Sequence, residues 1–349
     1  MIWLTYRQFR VSALVLLGGV VAVMAVLAVT GPQVADLSRS AGQGFLEAFG
    51  ADRAKTTIFY ASTALLYVLP AVVGIFWGAP MVSRELEAGT SRLVWTQSIT
   101  RTRWLATKLG VAGTGAALVG SFGLVLTWWC GPMDDAVSKG YPSNGLYGQP
   151  RLWPSQFGAR GSVPIAMAVL ALVIGVALGL VIRRAVPAMA ATLVLVVAVQ
   201  VVMPMFVQSH LLPRKHLIAK ITQDNLGEVR ATGDIAPGAT DVVIAQLGIS
   251  AGSPDAWIVS NRTLDPSGKV MDRYPAWVTD CAPPPGAVTS PEQVQGCFAR
   301  LADEGYRQRV EYYSASRFWP LQLAETGVLL AMAGLVTGFC FWRVRRDLT

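Results

Sequence analysis

Charge is what this chain has least of. Only 14% of its 349 residues are Asp, Glu, Lys or Arg, where an average soluble domain carries roughly 25%. Two histidines in the whole sequence leave histidine-based acid–base catalysis and a zinc hydrolase without their parts. No G-x-x-x-x-G-K-[ST] occurs, which removes a P-loop as a nucleotide cradle, and no G-x-S-x-G elbow marks a serine nucleophile. The apolar runs hold almost no ionisable side chain, whereas proton-coupled transporters keep carboxylates or histidines inside the membrane. Glu325, near the start of the last run, is the nearest exception. Energy for any pumping is therefore expected from another chain. The net charge of +8 does not point to nucleic acid, because basic residues that hold cytoplasmic loops in place give the same surplus.

Apolar length is what the chain has instead. Hydrophobic residues make up 53% of it, and six nearly uncharged runs stand out at 11–30, 58–78, 109–129, 163–182, 186–207 and 321–342. About 20 helical residues cross the hydrocarbon core of a bilayer, so each run is predicted to span it. The first run exceeds the roughly 7–15 apolar residues of a signal peptide and is expected to stay as a span. Arg183 and Arg184 split the fourth run from the fifth, and Pro187 falls in the first turn of the next helix, where a missing N–H is harmless. Residues 163–207 thus read as a tight helical hairpin. The expected fold is an all-α polytopic membrane protein of six transmembrane helices with a small mixed α/β extracytoplasmic domain.

Basic residues set the expected orientation. Segments 1–10, 79–108, 183–185 and 343–349 hold 12 Lys and Arg in about 50 positions. Segments 31–57, 131–162 and 208–320 hold 17 in about 170. Short basic flanks stay in the cytoplasm, which puts both termini inside the cell membrane and residues 208–320 outside. That outer stretch carries most of the acidic residues and is long enough for a small core of its own. DVVIAQLGI and AWIVSN within it alternate as strands do. Cys281 and Cys297 both fall there, and a disulfide persists only on the oxidising side. Pairing them would stabilise the domain by about 3 kcal/mol on a chain-entropy argument; two free thiols are the alternative. No metal is expected, since His210 and His216 lie far from both in sequence. Cys130 and Cys340 read as small apolar residues.

The connection at 79–108 is the most informative segment. SRELEAGT offers Ser83 as a helix cap, the paired acids Glu85 and Glu87, and Gly89 as a stop. Arg101, Arg103 and Lys108 then flank Trp104 where the third run begins. A short helix, a turn and a second charged helix make a docking lever for a soluble partner; an ordinary positive-inside loop explains the same composition. At the N-terminus Trp3, Tyr6 and Phe9 recur every third residue with Arg7 and Arg10 between them, as in a helix lying at the membrane interface. Within the spans, Gly74-x-x-x-Gly78, Gly175-x-x-x-Gly179 and Gly334-x-x-x-Gly338 permit close helix approach. Gln200 is an amide in an otherwise apolar run and needs a partner or water. With Met203 and, on the second run, Tyr60, Thr63 and Tyr67, it forms the candidate wall of a translocation path. Interhelical hydrogen bonding and plain core are the other readings of these residues.

RELEAGTSRLVWTQSITRTRWLATKLG resembles the coupling segment of ABC type-2 permeases, in which E-x-G-T-x-x-x-L is followed by a short polar stretch, S/T-R and L-x-x-K. MIWLTYRQFR resembles the connecting helix that precedes their first span, above all in actinobacterial members. A disulfide-bearing domain between the fifth and sixth spans is similar to the G-subfamily exporters. The resemblance implies that Glu85, Glu87, Gly89 and Thr90, with Arg92, Arg101 and Arg103, couple to a separate ATP-binding subunit. It implies that ATP and Mg bind on that subunit and that no cofactor binds here. It implies also a second permease copy, identical or not, and a lipophilic or amphiphilic cargo sent outward. A membrane sensor whose outer domain binds a ligand without transport is the alternative from another class, and a secondary transporter working alone is a third.

Overall fold

The structure is a computed structural model that describes residues 2–89, 100–143, 145–222, 225–232, 243–271, 274–275, 277–278 and 291–346. Side chains are described for these except 2–11, 228–232, 243–245 and 291–295. In order come α1 (Ile2–Ala41), α2 (Phe45–Ala51), α3 (Arg53–Val72), α4 (Ala79–Glu87), α5 (Arg101–Gly120), α6 (Phe122–Trp129), α7 (Gly131–Ser138), α8 (Pro154–Phe157), α9 (Val163–Ile182) and α10 (Ala185–Val202). Strands β1 (Lys215–Ala219), β2 (Leu226–Thr232), β3 (Val243–Ile249) and β4 (Trp257–Leu264) follow, then α11 (Pro291–Asp303), β5 (Arg307–Tyr313) and α12 (Phe318–Arg346). The chain divides into a helical unit of Met1–Val137, Tyr141–Leu212 and Phe318–Thr349, and a second unit of Ser138–Gly140 and Pro213–Arg317.

Six helical stretches are long and apolar enough to cross a membrane: Ser12–Ala51, Arg53–Glu87, Arg101–Trp129, Val163–Ile182, Ala185–His210 and Ala315–Arg346. The number expected from the apolar runs is therefore present, and the helices outrun the apolar residues. Residues 31–41, read as loop, continue α1 through Pro32. The interfacial helix expected at 1–10 is not separate either; Trp3, Tyr6, Arg7, Phe9 and Arg10 lie on the first turns of α1, because neither Gly nor Pro interrupts the chain there.

At the centre of the helical unit runs α9, with Leu170, Leu172, Val176 and Leu180 at most 1% exposed. Its residues are apolar all round, the pattern of a helix surrounded by other helices. Two prolines shape what surrounds it. Pro70 lies in the last turn of α3, and the helix then passes through a π-turn at Val73–Gly78 before α4. Pro204 sits in a second π-turn, Met203–Val207, after α10. A proline lacks the N–H that the regular ladder needs, and a wider turn re-registers the bonds. Against the first π-turn, α9 makes backbone contact. A Cβ on Gly78 would stand 2.4 Å from the Leu172 carbonyl oxygen, one on Gly175 2.4 Å from that of Gly74, and one on Gly179 2.6 Å from that of Ala79. Two of the glycine pairs read in the sequence thus face each other. Gly334 and Gly338 meet nothing within 4 Å.

In the second unit, β1, β5 and β4 form an antiparallel sheet in that order, and β2 pairs with β3. Leu247, Phe298, Leu301 and Val310 make its core. A buried amide joins the two sheets: Gln308 Nε2 donates to the Leu247 carbonyl and to Asn261 Oδ1, both at 2.7 Å, and Thr263 Oγ1 donates to Gln308 Oε1 at 2.7 Å. The alternating stretches singled out in the sequence are β3 and β4. Cys281 and the prolines beside it lie outside the described residues. Cys297 is on α11 and, among the described residues, is not one of the free thiols, which are the buried Cys130 and Cys340.

The backbone contact at α9 yields a direct test. Gly78→Ala should destabilise the solubilised protein by about 1–3 kcal/mol through overpacking, read as a lowered unfolding midpoint. Gly334→Ala, where the added methyl meets open space, should leave that midpoint unchanged.

Candidate functional site

Two constructions in the helical unit carry chemistry: a polar junction where α4, α5 and α10 meet, and a narrow cavity among α3, α9, α10 and α12. The junction starts from α4, which ends at Glu87 with the Gly89 N–H on the Leu86 carbonyl and Gly89 at φ +68°. Gly89 is therefore the stop that the sequence suggested. Ser83 is not a cap. It is buried inside α4, with its hydroxyl donating to the Ala79 carbonyl at 2.8 Å, because the helix begins four residues earlier than SRELEAGT implies.

Glu85 and Glu87 are bound within the chain. Lys108 Nζ donates to Glu85 Oε1 at 2.6 Å and to the Met81 carbonyl at 3.0 Å, and lies 4.7 Å from the Trp104 ring centroid. The lysine side chain is 4% exposed and the glutamate 17%. Such a pair is dear to break, because losing one partner strands a charge away from water. Glu87 Oε2 accepts the Ala185 N–H at 3.1 Å. Arg184, the residue before α10, supplies no side-chain cap, so Glu87 places its carboxylate at the positive end of that helix instead. Lys108, read as preceding the third span, is a buried residue of α5.

Thr100 caps α5 by accepting the Arg103 N–H at 3.4 Å. Arg101 and Arg103 occupy the first turn, where the helix dipole disfavours positive charge, so helix stability does not explain them. Arg103 is exposed, as are Arg84, Ala88 and Gly89 at the end of α4. Thr90 and Arg92 lie outside the described residues, as do the side chains of Trp3, Tyr6, Arg7, Phe9 and Arg10.

Three of the candidate path residues meet at the cavity. Tyr67, Gln200 and Met203 line it with Pro70, Pro204 and Glu325, so both π-turn prolines border one space. Gln200 Nε2 donates to the Tyr67 carbonyl at 2.7 Å, and the Tyr67 hydroxyl reaches the carbonyls of Pro154 and Ser155 at 3.3 and 3.2 Å. Tyr60 and Thr63 do not join them. Tyr60 is 41% exposed, and neither residue borders the cavity; both stand on earlier turns of α3.

Sequence reading passed over two constructions. Arg160, 1% exposed, donates from Nη1 to Asp134 Oδ1 at 2.6 Å and from Nη2 to Gln156 Oε1 at 3.2 Å. Burial lifts the Asp134 carboxyl above its usual range against the pull of that guanidinium. The partners are separated by 26 positions and sit in a stretch read as plain loop, so no pattern announced them. The other is the polar face of α12. Gln322 Oε1 accepts the N–H groups of Ser162 and Val163 at 3.0 Å each, capping α9 from a different helix. Thr326 Oγ1 bonds Ser162 Oγ at 2.8 Å. Glu325 lies between them, 3% exposed. The spacing Gln322, Glu325, Thr326 was the available signal.

The junction predicts a non-additive response. Lys108→Met should lower stability by about 3–5 kcal/mol by removing the buried ion pair with Glu85. Lys108→Met with Glu85→Leu should recover most of that loss in the same unfolding measurement, whereas independent residues would give summed losses.

No curated protein and no solved structure matches the chain. The family described as ABC-2 membrane transporter related matches residues 17–208. That range is more than half of the 349 residues and takes in the polar junction and most of the cavity wall. With six helices able to span a bilayer around that matched core, the chain belongs to the ABC-2 membrane transporter related family.

Proposed function

We propose that this protein is the permease subunit of an ABC exporter, moving a lipophilic or amphiphilic cargo out of the cytoplasm. ATP and Mg act on a separate nucleotide-binding subunit, and a second permease copy completes the pathway. Both termini and residues 79–108 are cytoplasmic on this reading, and residues 208–320 are outside, following the basic flanks. Cys281 and Cys297 then face the oxidising side and pair. The first turns of α1 hold Trp3, Tyr6, Arg7, Phe9 and Arg10 at the level of the lipid head groups.

One observation carries the proposal: the α4–α5 junction is tied to α5 by Glu85 and Lys108 and to α10 by Glu87 and the Ala185 N–H. A partner pressing there would load three spans at once. Glu85 and Glu87 therefore transmit force within the chain, and the exposed Arg84, Gly89 and Arg103 offer the surface that the partner touches. Basic groups on that surface suit an acidic groove on the ATPase.

Purified from its host, the complex should contain a separate P-loop protein with ATPase activity. Arg84→Glu with Arg103→Glu should cut transport per ATP hydrolysed at least fivefold while the unfolding midpoint stays in place. An active transporter recovered without any nucleotide-binding subunit would contradict the proposal.

A further inference from the structure

The cavity has an unbalanced chemistry. Among the described residues its lining contains no Lys, Arg or His. The Arg160 guanidinium is engaged by Asp134 and Gln156, and that of Arg151 lies over the Phe318 ring. Glu325 is 3% exposed, its Oε2 is buried with no hydrogen-bond partner, and no ion pair reaches the side chain among the described residues. Gln200 and Gln208 both spend an amide N–H on a backbone carbonyl, of Tyr67 and Leu152 respectively, and keep their Oε1 atoms as acceptors. The remaining wall is Leu66, Met167, Met203 and Leu329 with the rings of Tyr67 and Phe157. Amide acceptors and a carboxyl beside aromatic faces, with no cationic side chain in the described lining, describe a receptor for a cation that brings its own N–H groups. A buried carboxylate without a counter-charge is unfavourable, and a bound cation removes that penalty.

We infer that this cavity binds the protonated amine of an amphiphile, with Glu325 as the counter-ion. The enclosed space fits a head group and not a whole amphiphile, so the apolar tail leaves through the mouth. Prolines and π-turns on both sides give the wall two places where helices α3 and α10 can adjust. The inference rests on the permease reading for its meaning, since it names the cargo class. The binding itself is measured without ATP.

The test uses the full chain in lipid nanodiscs and two radiolabelled probes of equal length, decylamine and decanol. Saturable decylamine binding is expected at neutral pH, with decanol at least tenfold weaker. Glu325→Gln should erase the preference for the amine, and Glu325→Asp should keep part of it. Should Glu325→Gln fail to fold, Gln200→Leu carries the test, with several-fold weaker amine binding expected and decanol unaffected. Equal binding of amine and alcohol by the wild type would overturn the inference. So would undiminished amine preference in whichever of Glu325→Gln and Gln200→Leu folds. Amine binding that survives alongside a failed transport assay would count against the permease reading and leave this site standing.

Discussion

The helical unit depends on a backbone-to-backbone crossing. Where α9 meets the π-turn between α3 and α4, glycines on both sides bring the two main chains closer than any side chain would permit. In a bilayer the lipid is as apolar as the side chains, so burial of hydrophobic surface does little to hold helices together. Close van der Waals packing has to do it. The crossing fixes α9 against the second span, and the capping of α9 by Gln322 then fixes the last span against α9. Helices far apart in sequence become one body through these two arrangements.

Polar groups in the same body follow a rule of mutual satisfaction, because unsatisfied ones cost several kcal/mol in hydrocarbon. Glu87 caps α10, Gln322 caps α9, Gln200 reaches the Tyr67 carbonyl, and Lys108 holds both Glu85 and the Met81 carbonyl. Each of these bonds joins different helices, so each is also a tie that transmits motion. Glu325 departs from the rule at the cavity wall, where its Oε2 is buried without a hydrogen-bond partner. The carboxyl of Glu325, buried at the cavity wall, is left for something else to match.

The number of spans was legible in the sequence because a bilayer demands runs of about 20 apolar residues and leaves little freedom in reading them. Their ends were not. Residues 35–41 of α1 include Asp36, Ser38, Arg39 and Ser40 and stay helical, aided by the Asp36–Arg39 pair one turn apart, which no hydropathy threshold registers. The glycine motifs were visible, but which motif meets which partner is a property of the packed bundle. Glu85 and Glu87 stood out as paired acids, yet their partners, Lys108 and the Ala185 N–H, lie 23 and 98 positions away. Strands β3 and β4 showed in their alternation. The pairing of β1 with β5 joins segments about 90 residues apart and left no local trace. Glu325 was discounted for lying near the end of a span. Depth along a helix says nothing of the face a residue occupies, and that face opens on the cavity.

On the proposed topology residues 79–108 are a cytoplasmic lever and residues 208–320 face outward. Single cysteines placed at Arg103 and at Asp265, in a background with the native cysteines retained as a baseline, can be labelled in whole cells with a membrane-impermeant maleimide. The position at 265 should react in intact cells, and the one at 103 only after the membrane is opened. Labelling at 103 in intact cells, with 265 protected, would contradict the topology and with it the coupling of these helices to ATP.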